Sequence, residues 1–254
     1  MSDGLHLASC QTGLPREGFN RFGFRLDSGP PFTPLCAVPK WLKFILGLLL
    51  LPLCAGAVPA LVRVARVSGG AVEVWVPLVA GAACWLVIFA LLPRPMWVYV
   101  VGHELTHVVW SWLFGGRVKK FKASSQGGEV VVTKSNFLVA LAPYFFPLYA
   151  VIVVTVFLAG HLIWGWARWT PLFHLLLGAA YAFHLTLTWE IFQTRQSDIT
   201  GQGYLFSAVV IFLGNVLVLL LGIPLLTGKA GLLTVLGWWL EATGAMLKRL
   251  SALL

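Results

Sequence analysis

The chain predicts an all-α polytopic membrane protein of six to seven transmembrane helices, with a small membrane-associated β-hairpin after its third span. Composition is the first sign: of 254 residues, 59% are hydrophobic and only 11% charged, where a soluble domain carries about a quarter charged. The mean hydropathy is +0.86. Apolar runs also recur between short polar breaks, several of them long enough for the roughly 20 helical residues that a bilayer core demands. The net charge of +9 does not point to nucleic acid, because the basic residues form short clusters between apolar runs and no continuous stripe. They read as loop anchors facing lipid headgroups.

Taken in order, residues 1–40 mix polar residues, Gly and Pro. This tail is expected to be poorly ordered, without a cleavable signal peptide, so the first span serves as its own targeting signal. Spans are expected near 41–62 and 74–92, two accessory helices within a unit of 41–95. A core of 96–227 follows, with spans near 96–114, 137–159, 172–192 and 203–227. The segment 228–254 contains "GLLTVLGWWLEATGAMLKRLSALL", in which Glu241, Lys248 and Arg249 interrupt the apolar pattern. It is either a seventh span or a helix lying in the interface. The Lys and Arg balance across the loops reverses with that choice, so charge alone does not set the orientation. Between the third and fourth spans, "VKKFKA" and "EVVVTK" flank "SSQGG", which reads as a hairpin over 118–134. The four cysteines, Cys10, Cys36, Cys54 and Cys84, form no CxxC pair and are expected to be unpaired.

The third span reads "VYVVGHELTHVVWSW". His103 and His107 are four apart, which on a helix stacks them one turn from each other with Cβ atoms about 5–6 Å apart. Two imidazoles so placed can close on one zinc ion. Glu104 lies about 100° round the helix from His103, where it can reach a water at that zinc without being a ligand. In this HExxH arrangement the zinc lowers the pKa of its water to about 7 and the glutamate acts as general base. Chance would produce the pattern in roughly one chain of this length in 300, so coincidence is a poor explanation. Ionisable groups within an apolar span are costly, which favours a functional reading. A helix starting near Pro95 puts His103 roughly 12 Å along the axis, below the membrane surface.

A catalytic zinc usually has three protein ligands and an open position. Asp198, in "TRQSDITGQGY", is the first choice for the third, since no other Asp lies outside the N-terminal tail. Its structural alternative is a helix N-cap. Glu190, His184 and His174 in the fifth span compete with it. His174 and His184 are ten residues apart and thus about 280° round a helix, so they do not form a second i, i+4 pair.

The stretch "HELTHVVWSWLFGGRVKKFKASSQGG" resembles the site-2 protease family of intramembrane zinc metalloproteases, whose HExxH helix is followed by a Gly-containing break and a membrane-associated β-hairpin. The resemblance covers residues 97–134, and a looser match in order extends to about 215. It implies His103 and His107 as zinc ligands, Glu104 as base, and Asp198, from the later helix region, as third ligand. It also implies a membrane-anchored protein substrate and a bacterial cytoplasmic membrane. The chain departs from the family where Ile199 follows Asp198 in place of Gly, and where Phe146 in "LAPYFFP" stands at the Asn of the family's Gly-Pro-x-x-Asn element.

The expected activity is hydrolysis of a peptide bond in or near a transmembrane segment, with the hairpin holding an unwound substrate by strand addition. The rival is a non-catalytic, zinc-containing scaffold that binds single-span or unfolded membrane partners. Such a scaffold has little use for a base at position 104. An ion transporter would string polar residues across several spans, whereas here they cluster in one helix with candidates near the fifth and sixth.

Overall fold

A computed structural model describes residues 22–26, 38–124 and 127–252. Strand β1 (Phe22–Leu26) precedes three helices: α1 (Lys40–Ser68), α2 (Val72–Leu91) and α3 (Met96–Leu113). Strands β2 (Val118–Ser124) and β3 (Gly127–Val132) then lead into the short α4 (Phe137–Leu141), a 3₁₀ turn at Ala142–Tyr144 and α5 (Leu148–Trp164). A second 3₁₀ turn, Trp166–Trp169, precedes α6 (Thr170–Phe192), followed by α7 (Ser197–Gln202), α8 (Tyr204–Thr227) and α9 (Leu232–Ser251).

Among the described residues, four helical segments are long and apolar enough to cross a membrane: Lys40–Ser68, Val72–Leu91, Trp166–Phe192 and Tyr204–Thr227. A fifth is reached if Phe137–Tyr144 and Leu148–Trp164 count as one span bent by 82°. This corrects the expected six to seven. Met96–Leu113 falls short because His103, Glu104 and His107 lower its hydropathy, and α9 because Glu241, Lys248 and Arg249 fall in every long window of it. The expected fourth span breaks where Pro143 and Pro147 remove backbone donors. The apolar helices suit lipid on their outer faces: Leu91, Leu162 and Leu225 are 76%, 75% and 69% exposed.

The hairpin forms as expected, β2 pairing antiparallel with β3; its turn residues 125–126 lie outside the described residues. Val130 and Val132 are fully buried against Val108 of α3, which seats the sheet on that helix. The third strand was not expected. Residues 22–26, assigned to a poorly ordered tail, pair parallel with β3 and give the order β1-β3-β2. The pattern Phe-Gly-Phe-Arg-Leu carries the aromatic alternation of a strand, obscured by the Gly and Pro around it. The rest of the tail, with Cys10 and Cys36, lies outside the described residues; Cys54 and Cys84 are free thiols, as expected.

One buried cluster joins Val100 of α3 with Leu141, Ala142, Tyr144 and Phe145 from the broken segment, Leu187 and Ile191 from α6, and Phe206 from α8. A separate cluster ties α1 to α8 and α9 through Ala57, Ala60, Val64, Val216, Leu220 and Val235.

Candidate metal centre

α3 begins after Pro95, whose missing N–H costs nothing at a helix start. Its buried face carries His103, Glu104, Thr106, His107 and Ser111. The helical repeat stacks the imidazoles, with ring centroids 5.1 Å apart. Asp198 arrives from α7, a single short helix between the two long apolar helices α6 and α8. Gly203, with φ of 94°, supplies the break from α7 into α8, since L side chains rarely adopt that conformation. Asp198 is 5% exposed, and its Oδ2 lies 3.6 Å from Nε2 of both His103 and His107.

These three residues form a group able to hold a metal ion, with their ligand atoms all within 4.8 Å of one another. Donors at about 2.0–2.1 Å from a tetrahedral zinc sit roughly 3.3 Å apart, so the two 3.6 Å separations nearly match a shared ion. Asp198 Oδ1 is buried with no hydrogen-bond partner among the described residues, as suits a carboxylate whose second partner is an ion. The donor set therefore fits a metal.

Neighbouring groups fix the donors' orientation. His107 Nδ1 lies 2.8 Å from the Val139 carbonyl; with that nitrogen as the donor, Nε2 turns its lone pair towards Asp198. The carbonyl is available for a sequence reason. In a continuing helix it would accept from residue 143, but residue 143 is proline and has no N–H. Asn136 caps the same turn, accepting from the Val139 N–H at 2.9 Å. The Tyr144 hydroxyl donates to Asp198 Oδ2 at 3.0 Å, and the Tyr144 ring packs edge-on against His103.

Glu104 is 1% exposed and stands outside the ligand group. β3 passes directly over it: a Cβ on Gly128 would come within 2.5 Å of Glu104 Cγ and Oε1. Only glycine lets that backbone approach so closely.

Of the competing ligands, Glu190 is bound to Arg94 at 2.6 Å on the half-exposed outside of the fold, and His174 is turned to the Glu73 carbonyl at 3.3 Å. His184 lines a small cavity with His103, Tyr99 and Tyr149 but does not join the ligand group. Val139, Tyr144 and Gly128 were not singled out from sequence. The signal for the first was Pro143, four residues on; a tyrosine hydroxyl and a bare glycine carry none. No protein-family model, no curated protein and no solved structure matches this chain.

Proposed function

We propose that the chain is a zinc-dependent intramembrane endopeptidase, a multi-pass protein that hydrolyses a peptide bond in or near a transmembrane segment of a membrane-anchored protein. The observation that carries the reading is the clustering of His103, His107 and Asp198 on one metal-sized spot, with Glu104 buried one residue from the first ligand. The resemblance of residues 97–134 to site-2 proteases supports the substrate class and a bacterial cytoplasmic membrane.

Zinc, when bound, supplies Lewis acidity and an acidified water at neutral pH. Glu104 takes a proton from the attacking water and returns it to the leaving amide nitrogen, the usual work of a positioned carboxylate. Tyr144 and Val139 hold Asp198 and His107 in place, and β3 covers the base. A helical substrate hides its amides in its own hydrogen bonds, so the scissile stretch must be extended first; strand addition at the sheet provides that form. A zinc-containing scaffold would need the ligands but not the buried base.

The test is metal analysis with a cleavage assay on a single-span reporter in vesicles. Wild type is expected to hold one zinc per chain and cut the reporter. Asp198→Ala is expected to lose the metal, and Glu104→Gln to keep it and lose cleavage. Cleavage by Glu104→Gln at the wild-type rate overturns the proposal.

A further inference from the structure

β1 lies in a specific place relative to the metal cluster. Phe22 is the register partner of Gly128, the residue that covers Glu104, and pairing continues to Leu26 opposite Val132. β1 also lies against α7, the helix that carries Asp198. The backbone of residues 22–26 therefore contacts both the strand over the base and the helix of the third ligand.

Its attachment is of a displaceable kind. Five residues bonded to one neighbouring strand are marginal by themselves, since even an isolated hairpin is barely stable in water. Covalent continuity with α1 offsets this by holding the segment at a local concentration on the order of millimolar. Strand addition is driven by main-chain hydrogen bonds, so an edge that accepts Phe-Gly-Phe-Arg-Leu accepts other extended peptides.

We propose that the β1-facing edge of β3 is a docking surface for a single extended peptide strand, and that Phe22–Leu26 is its resident occupant, which an incoming substrate strand must displace to reach Glu104. The proposal rests on the reading of Glu104 as the catalytic base. Occupancy by β1 lowers the apparent affinity for substrate by the fraction of time the edge is vacant and leaves the chemical step unchanged. Releasing the strand therefore lowers KM and not kcat.

The experiment uses the full chain in nanodiscs. In a parallel pair, successive residues turn their N–H groups to opposite edges, so the double substitution Gly23→Pro and Phe24→Pro removes a donor to β3 whichever residue faces it. A second variant, Arg25→Cys with Val131→Cys and the four native cysteines changed to serine, joins register partners by a disulfide and locks the strand in place. The probe is a fluorescein-labelled peptide of residues 19–29, read by anisotropy, beside cleavage of the single-span reporter.

The proline variant is expected to bind the probe about tenfold more tightly than wild type and to lower KM about tenfold at constant kcat. The oxidised lock is expected to bind no probe until reduced. Equal probe binding by the oxidised lock, its reduced form and the proline variant overturns the proposal, as does failure of the disulfide to form. If binding follows the strand as expected while no variant cleaves the reporter, the docking edge stands and the protease reading falls. If cleavage depends on Glu104 but the lock leaves KM unchanged, the protease stands and the resident strand falls.

Discussion

Between α2 and α6 two backbones meet at Gly81 and Gly178: a Cβ on Gly81 would strike the Leu175 carbonyl, and one on Gly178 the Leu78 carbonyl. Between α3 and α7 the meeting is of side chains, His103 and His107 with Asp198. The first junction is mostly apolar, crossed by Trp85 Nε1 donating to Thr186 Oγ1 at 2.8 Å and by His174 Nδ1 at 3.3 Å from the Glu73 carbonyl. It follows the rule of helices in lipid, where association comes from close packing of small residues because lipid is as apolar as the helix. The second gathers two imidazoles and a carboxylate in a buried interior, an arrangement that is expensive unless its groups are mutually satisfied or share an ion. One junction holds the helices together; the other depends on their being held.

That division predicts that the two junctions fail separately. On the zinc-protease reading the largest expected effect is on chemistry alone: Glu104→Gln lowers turnover by about 10²–10⁴-fold, with bound metal and unfolding temperature unchanged by metal analysis and calorimetry. Next, Gly178→Val overpacks the α2 and α6 contact and costs about 1–3 kcal/mol, read as earlier thermal unfolding in detergent, while the protein that stays folded keeps its zinc. Loss of metal before unfolding in that variant would show that the junctions are coupled. Tyr144→Phe removes the donor to Asp198 and is expected to weaken zinc binding by about 10–100-fold in a chelator competition, with little change in unfolding. The smallest effect is Glu190→Ala. Its pair with Arg94, whose side chain is 48% exposed, contributes about 0–1 kcal/mol, and zinc content is expected to stay at the wild-type level. A zinc loss there would make Glu190 part of the site.

How much was legible follows the same line. His103 and His107 could be paired from sequence because a helix repeats locally, and Asp198 could be nominated because aspartate is scarce in this chain. The hairpin showed in its β-rich flanks. The span count failed where the chemistry sits, since the polar groups that make α3 interesting also disqualify it as an ordinary apolar span. The fourth expected span failed at Pro143 and Pro147, which turn one apolar run into two helices at 82°. β1 was hidden because a lone parallel strand takes its stability from a neighbour distant in sequence, and tail composition says nothing about that neighbour.

The cluster is also spread along the chain in a way that bears on how the protein is made. The imidazoles and Glu104 come from α3, the orienting carbonyl and hydroxyl from the broken segment after the hairpin, and the carboxylate from α7. A ribosome delivers these in that order, with all of α5 and α6 between the second and the third. A nascent chain that has not reached α7 carries the histidines and Glu104 in the absence of the aspartate, so the complete ligand set exists only after most of the protein has been synthesised. Under the protease reading, a hydrolytic centre completed only at α7 cannot act on the chain's own earlier helices while they are still extended.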